Sequence, residues 1–179
     1  NQVSAGSVVV DPKLMVGWST EKVGAFKGYA NLDKTTVKNG KGSLVIHSEL
    51  HEPNVYVMIF QHIAVEPNTT YVFKAKAKGN DAKGAFFVGG PGMNHRVYFD
   101  SGTYDWKDYE YEYTTGANER SFHFMIVTDN VTNSLWVDDV SMVKKGDTVN
   151  LIKNGDFESF PEENEALDYG VYNDGAEKI

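Results

Sequence analysis

The segment NVYVMIFQHIAVEP (54–67) contains the side chains with the clearest capacity for binding chemistry. Side chains alternate between two faces of a β-strand, so this segment would present two different surfaces. One face would carry Val57, Ile59, Gln61, Ile63 and Val65, and the other Tyr56, Met58, Phe60 and His62. Flat aromatic rings pack against apolar groups while polar neighbours form hydrogen bonds. The second face could therefore stack on the C–H faces of sugar rings.

Two further segments offer compatible side chains. In SFHFMIVT (121–128), His123 and Met125 point away from the apolar set of Phe122, Phe124 and Ile126. NHRVYF (94–99) adds Asn94, Arg96 and Tyr98. The predicted ligand-binding residues are Tyr56, Met58, Phe60, Arg96, Tyr98 and His123. The alternative is that both faces are buried, with the chain's tail or a loop covering the second face.

The adjacent acids Asp138 and Asp139 form a candidate cation site. Neighbouring residues of a strand point to opposite faces, so at most one of the two faces the core. A buried carboxylate needs a cation or several hydrogen-bond donors. The alternative to a metal is that backbone N–H groups of a turn satisfy both carboxylates.

Enzymatic chemistry has weaker support. HSELHE (47–52) would suggest zinc on a helix, but its preceding residues are strand-like and Pro53 follows, which favours a solvated strand end. Glu110 and Glu112 could act as the paired carboxylates of a glycosidase, but they alternate with tyrosines on the expected solvent face. There is no G-x-S-x-G motif and no cysteine nucleophile. We therefore expect a protein without catalytic activity.

Composition narrows the class of protein. The chain has 179 residues, a net charge of −8 and no cysteine, which excludes disulfides and cysteine-bound zinc. Nine acidic residues and two basic ones fall in 147–179, so the preceding residues are almost neutral. A near-neutral body gives no electrostatic reason to bind nucleic acid or an anionic membrane. No segment approaches the roughly 20 apolar residues of a membrane span. Because the chain begins with Asn1 rather than Met, we expect that a secretion signal has been removed.

The elements that must position these residues are strands. Eight or nine short segments with β-type patterns occur before residue 147, each bounded by turn residues. In TTYVFKAKAKG (69–79), Tyr71, Phe73, Ala75 and Ala77 alternate with Val72 and lysines. In WKDYEYEYTTG (106–116), tyrosines alternate with acids. This pattern predicts an all-β fold of two packed antiparallel sheets.

Several motifs, in order, resemble jelly-roll carbohydrate-binding modules of the family 4, 9, 16 and 22 type. LWVDDVSMVKKG (135–146) is similar to the closing strand of these modules. VGWS (16–19), NGKGSLVI (39–46), FQHIAVEPNTTYVFKAKAKG (60–79) and WKDYEYEYTT (106–115) match earlier parts. The resemblance covers residues 16–146. It implies a jelly-roll sandwich over 1–146 that binds a poly- or oligosaccharide without acting on it.

The resemblance also implies a structural calcium ion. Asp11, Asp138 or Asp139 and carbonyl groups of the 39–43 turn would supply oxygen ligands, of which calcium requires six to eight. The sequence departs from the pattern here. A glutamate in the opening phrase of these modules helps to hold the ion, and Asp11 is the only early acid in this chain.

That opening phrase occurs instead near the end of the chain, as NLIKNGDFES (150–159). A further sandwich needs on the order of 100 residues, which do not follow. We interpret the acidic tail, 147–179, as the start of a second module, and expect few contacts between it and the sandwich. The alternative is a tail that packs on the first domain.

These observations together predict a monomeric, secreted or cell-surface bacterial module within a larger protein. Its expected partner is a glycan, with no nucleic acid and no membrane insertion. The alternative is a structural or protein-interaction sandwich of a cell-surface protein.

Overall fold

The computed structural model describes residues 9–10, 15–93 and 95–159, which form two antiparallel sheets packed face to face. The eleven strands are β1 (Val9–Val10), β2 (Ser19–Val23), β3 (Gly28–Asp33), β4 (Ser43–Ser48), β5 (Tyr56–Ala64), β6 (Thr70–Ala82), β7 (Ala85–Gly89), β8 (His95–Tyr98), β9 (Gly102–Thr114), β10 (Ser121–Thr128) and β11 (Thr132–Lys144). A short 3₁₀ turn, Pro91–Met93, joins β7 to β8, and the described residues contain no α-helix. The predicted all-β jelly-roll sandwich is confirmed.

The two sheets interleave strands from distant parts of the chain. One sheet has six strands in the order β1-β3-β4-β11-β6-β9, and the other has five in the order β2-β5-β10-β7-β8. Both sheets therefore contain strands from the first and the last thirds of the described chain. A core of this kind forms only when sequence-distant strands have paired.

The core lies between the sheets and follows the alternation in the sequence. In β6, Tyr71, Phe73, Ala75 and Ala77 are all buried, as predicted. In β9, Tyr113 is buried and Tyr109 and Tyr111 are half-buried against the core, while the intervening acids are exposed. The acids of β9 pair with lysines of β6 and with Lys145, which follows β11; Lys76, for example, lies 2.8 Å from Asp108. This outer face is therefore charged and solvated, as the edge of a sheet needs to be.

The strands β2 and β3 have no counterpart in the sequence-based assignment. Strand β2 reads STEKV and is largely polar because it is an edge strand with a single neighbour, β5. Strand β3 reads GYANLD, and its Ala30 and Leu32 are buried in the core. Their short and polar patterns do not distinguish a strand from a loop, so only pairing identifies them.

The segment 150–159 packs on the sandwich. Phe157 is fully buried and stacks on Trp18, with ring centroids 5.4 Å apart, and Ile152 joins the same core. The backbone runs beside β11: Leu151 N–H donates to the Met142 carbonyl (2.8 Å), and Val140 N–H donates to the Gly155 carbonyl (2.7 Å). The expectation of few contacts across the junction is therefore wrong.

Two side chains of the sandwich, those of Gln61 and Trp18, also bond the backbone of this segment. The amide of Gln61 forms two bonds with Lys153, accepting from its N–H (3.0 Å) and donating to its carbonyl (2.6 Å). The Trp18 indole donates to the Asn154 carbonyl (2.9 Å). These buried polar groups have no alternative partner in water, so the segment has a defined place rather than a loose association.

We expect Phe157→Ala to destabilise the sandwich by about 3–5 kcal/mol, the usual cost of removing a buried phenylalanine side chain. Urea denaturation of the full chain measures this change. Val149→Ala, immediately before this segment, is the matched control, because Val149 is 65% exposed and its substitution should cost less than about 0.5 kcal/mol. Equal, small effects of the two substitutions would show that the segment is dispensable, as the sequence had suggested.

Candidate binding surface

The outer face of the five-stranded sheet brings together all six residues predicted to bind a ligand. The core face of β5 carries Val57, Ile59, Gln61 and Ile63, so Tyr56, Met58 and Phe60 lie on the outer face. The pairing register places Phe60 opposite Met125 of β10, and His62 opposite His123. Directly paired residues of adjacent strands share a face, so the outer positions of β5 and β10 form one surface.

The same register extends across the sheet to β8. Met125 pairs with position 88 of β7, which pairs with Arg96, while Val127 pairs with position 86, which pairs with Tyr98. Arg96 and Tyr98 are exposed, Tyr98 by 60%. They lie three strands from β5, or about 14 Å away at the usual strand spacing. We call the outer face of β2, β5, β10 and β8 the platform.

Part of the platform is buried beneath the platform's own side chains. Met125 and Val127 are only 2% and 6% exposed, and Tyr56, Met58 and Phe60 pack half-buried against them. This small cluster is separate from the core between the sheets, to which Ile152 and Phe157 of the C-terminal segment belong. The described part of the tail therefore packs into the core rather than over Met125. The platform is an apolar floor with half-exposed aromatic rings, intermediate between the two arrangements expected from the sequence.

Two histidines stack at one end of this floor. The rings of His62 and His123 are nearly parallel with centroids 4.0 Å apart, and Phe60 meets His123 edge-on at 4.9 Å. The Nε2 atom of His123 is buried and has no hydrogen-bond partner within the described residues. Burial lowers the pKa of His123, and the neighbouring charge of protonated His62 lowers it further. His123 is therefore neutral where an ordinary histidine would begin to take up a proton.

Strand β2 adds polar groups that the sequence did not single out. Ser19 pairs with Phe60 and Glu21 with Met58, which puts both residues at the margin of the platform. Because β2 itself was not recognisable from its pattern, neither residue could be assigned a place. Glu21 acts on His123 electrostatically and partly opposes the lowering of its pKa.

The acidic pair lies against a turn that supplies hydrogen-bond donors. Asp138 is fully buried and accepts hydrogen bonds from the backbone N–H groups of Lys38 (3.0 Å), Asn39 (3.2 Å) and Asp139 (2.8 Å). Asp139 lies in a bulge of β11 with φ of 50° and bonds the Asn39 side chain. Burial raises the pKa of Asp138 to about 6, although the three N–H donors act in the opposite direction.

The C-terminal segment brings a third carboxylate to the same turn. Glu158 accepts backbone N–H bonds from Lys41 (2.9 and 2.8 Å) and Gly42 (3.1 Å). The phrase at 150–159 that resembles a module's opening thus contacts the turn of this same sandwich. Asp11 lies outside the described residues.

These hydrogen bonds do not by themselves supply a calcium shell. The carboxylates of Asp138 and Glu158 face N–H donors, whereas calcium requires a shell of oxygen atoms. No cluster of three or more metal-binding side chains occurs among residues 15–93 and 95–159. Calcium remains a prediction from the resemblance.

The residues considered for catalysis lie apart from the platform. Glu110 and Glu112 are exposed on the six-stranded sheet, near Lys74 (3.9 Å) and Lys145 (3.2 Å) respectively. His47 bonds the Asn133 carbonyl and Glu49 at the solvated end of β4. Within the described ranges no helix is long and apolar enough to cross a membrane.

Comparison with known proteins identifies the fold. No family model and no curated protein matches this sequence. Among solved structures, "Family 16 Carbohydrate Binding Module-2" is 17% identical with a TM-score of 0.54, covering 80% of this chain and 96% of that one. A family 61 module, TmCBM61 in complex with β-1,4-galactotriose, is 9% identical with a TM-score of 0.54, covering 73% and 90%.

Enzymes share the fold as well. A Stig cyclase from Fischerella sp. TAU is 10% identical with a TM-score of 0.57, covering 78% of this chain and 88% of that one. The enzymatically active domain of tailspike protein 4 from bacteriophage CBA120 is 14% identical with a TM-score of 0.57, covering 80% of this chain. This chain spans only 21% of that domain. The fold is therefore shared with carbohydrate-binding modules, with a Stig cyclase and with part of the tailspike domain.

We expect the free energy of unfolding to depend on His123 below neutral pH. The unfolded chain takes up a proton at the ordinary histidine pKa of about 6.5, while folded His123 resists protonation, so its contribution to stability falls as the pH is lowered from about 7 to 5. Urea denaturation across this range should show a weaker fall for His123→Gln than for the unmodified chain. His51→Gln, which removes an exposed histidine, is the control, and the fall should be weaker in His123→Gln than in His51→Gln. Equal slopes for the unmodified chain and His123→Gln would contradict the assignment.

The calcium prediction is tested by thermal unfolding with millimolar calcium and with excess chelator. An ion bound only to the folded chain raises the melting temperature by mass action. We expect a higher melting temperature with calcium, and Asp138→Asn should abolish the difference. Identical melting curves in both conditions would exclude a structural calcium ion.

Proposed function

We propose that this chain is a non-catalytic module that binds a poly- or oligosaccharide on the platform. The observation that carries the proposal is the joint placement of Tyr56, Phe60 and His123 with Arg96 and Tyr98 on one outer sheet face. Aromatic rings there can stack on sugar C–H faces, and the cationic and hydroxyl groups can bond sugar hydroxyls.

The energetics of the platform suit reversible binding. Tyr56, Met58 and Phe60 are held by contact with Met125 and Val127, so little side-chain freedom remains to be lost when a ligand binds. The surface is nevertheless shallow, and its polar groups must exchange bound water for sugar hydroxyls. We expect modest affinity that grows with the number of sugar units in contact.

The likeness to carbohydrate-binding modules supports the same function. Those structures are less than 20% identical to this chain, so their ligands and roles enter only as part of the proposal. The cyclase and tailspike structures support the fold equally. A non-catalytic role is favoured because Glu110 and Glu112, the carboxylates considered for catalysis, lie beside lysines on the other sheet, and Glu21 is the carboxylate that the described strand pairing places on the platform.

A structural or protein-interaction role is the second candidate. The burial of Met125 and Val127 favours it, because an apolar floor that packs on itself needs no ligand. The exposed Arg96 and Tyr98 favour binding instead. We further propose, from the sequence, that the module acts outside the cell as part of a larger protein.

The binding prediction uses isothermal titration of the full chain with soluble xylan, β-glucan and β-1,4-galactan. At least one polysaccharide should bind, and Phe60→Ala or Tyr56→Ala should weaken that binding roughly tenfold, as loss of a stacked aromatic side chain usually does. Because both side chains are half-buried, their loss should cost less stability than the 3–5 kcal/mol of a core phenylalanine.

Tyr29→Ala is the matched control for these titrations. Tyr29 is also half-buried and stacks on a histidine, His47, but it lies on the six-stranded sheet. Its removal should leave the affinity unchanged. If Tyr29→Ala and Phe60→Ala reduce binding equally, the site lies elsewhere. If no glycan binds and Phe60→Ala only destabilises the fold, the structural role is correct.

A further inference from the structure

A cleft of about 380 Å³ adjoins the platform next to Ser19, the first residue of β2. Its lining includes Phe60 and His62 of the platform, Ser19 of β2, and Leu151 and Lys153 of the C-terminal segment. The volume falls within the range of about 300–1,000 Å³ that is typical of small-molecule sites. The cleft therefore has room for a ligand group next to the stacked aromatic rings.

The cleft exists because β2 pairs with only part of β5. Ser19 pairs with Phe60, but β5 continues to Ala64, so the edge of its last residues lacks a strand neighbour on that side. The C-terminal segment crosses this gap and forms its far wall. Gln61 holds the wall in place through both the N–H and the carbonyl of Lys153.

The C-terminal segment packs closely against residue 17, and this contact requires a glycine there. Gly17 has φ of 88°, a conformation that favours glycine, and a side-chain carbon at this position would lie 3.1 Å from Cβ of Lys153. The backbone of Lys153 is thus fixed on two sides. Lys153 is exposed, lines the cleft and forms no ion pair with any described residue.

The formal charge of the cleft lining is positive. Lys153 contributes a positive charge, and none of the described residues that line the cleft is acidic. Glu21, at the margin of the platform, pairs with Met58, two residues before Phe60 along β5. A ligand lying along β5 would therefore meet a negative charge near Met58 and a positive charge at the cleft.

We propose that this cleft is a subsite for a sugar unit that carries a carboxylate, with the Lys153 ammonium as its counterion. The inference rests on the proposed carbohydrate-binding function and specifies the substrate class as an acidic polysaccharide, one containing uronic acid residues. The sugar ring packs beside Phe60 and His62, its carboxylate contacts Lys153, and its hydroxyls reach Ser19.

The test compares polygalacturonate, alginate and glucuronoxylan, each with its carboxyl-reduced neutral form, by isothermal titration of the full chain at low and at physiological salt. At least one acidic polymer should bind about fivefold more tightly than its neutral form at low salt, the upper range for a solvent-accessible ion pair. Salt should reduce this preference, since it screens the attraction.

Two variants assign the preference to the cleft. Lys153→Met should bring the affinities for the acidic and the neutral form of a polymer to the same value, and the wall should stay in place because Gln61 bonds only the backbone of Lys153. Lys74→Met on the other sheet, where Lys74 lies 3.9 Å from Glu110, is the control and should retain the preference.

The outcomes separate this inference from the proposed function. Equal binding of acidic and neutral forms, or a preference that survives Lys153→Met, overturns the acidic subsite while carbohydrate binding stands. Absence of binding to every polymer, acidic or neutral, overturns both.

Discussion

The stacking of Phe157 on Trp18 is the contact on which the rest of the molecule depends. It draws the C-terminal segment into the core between the sheets, with Phe157 fully buried. Phe157 is thereby joined to residues of both sheets in one apolar cluster.

Three features of the molecule follow from that placement. The Gly155 carbonyl reaches the N–H of Val140 in the six-stranded sheet, where a side-chain carbon on Gly155 would lie 1.9 Å from the Val140 carbonyl oxygen. Lys153 reaches Gln61 in the other sheet and closes the end of the cleft. Glu158 reaches the turn that surrounds Asp138.

The sequence of strand β5 must suit both the core and the platform. Its core face needs apolar side chains, and its outer face forms the floor of the platform, so nearly every residue in it is large and apolar. Gln61 is the polar exception on the core face, and its position is explained by the two hydrogen bonds to Lys153. A buried amide with both groups satisfied specifies one partner, because any other neighbour would leave it unpaired.

The aromatic side chains on the outer face of β5 are not fully exposed, because they also cover apolar neighbours. Half-buried rings of Tyr56 and Phe60 cover Met125 and Val127, which limits contact with water while leaving ring surface available. The His62–His123 stack closes the other end and leaves a buried nitrogen of His123 without a hydrogen-bond partner among the described residues. Such a nitrogen disfavours protonation, which ties the geometry of the platform to pH.

Local alternation in the sequence determined the all-β class, the core faces of β5, β6 and β10, and the common outward direction of Tyr56, Met58 and Phe60. These follow from the sequence because a strand's side chains alternate with a period of two, whatever its partners are. The sequence could not determine β2 and β3, whose identity comes from pairing, nor the position of the C-terminal segment. Its motif predicted a new module, whereas burial of Phe157 against Trp18 placed it in this one. Only the tertiary structure brings Lys153 beside Phe60 and Glu158 beside the turn before β4, since those contacts join residues about 90 to 120 positions apart, and no local pattern encodes which distant surfaces meet.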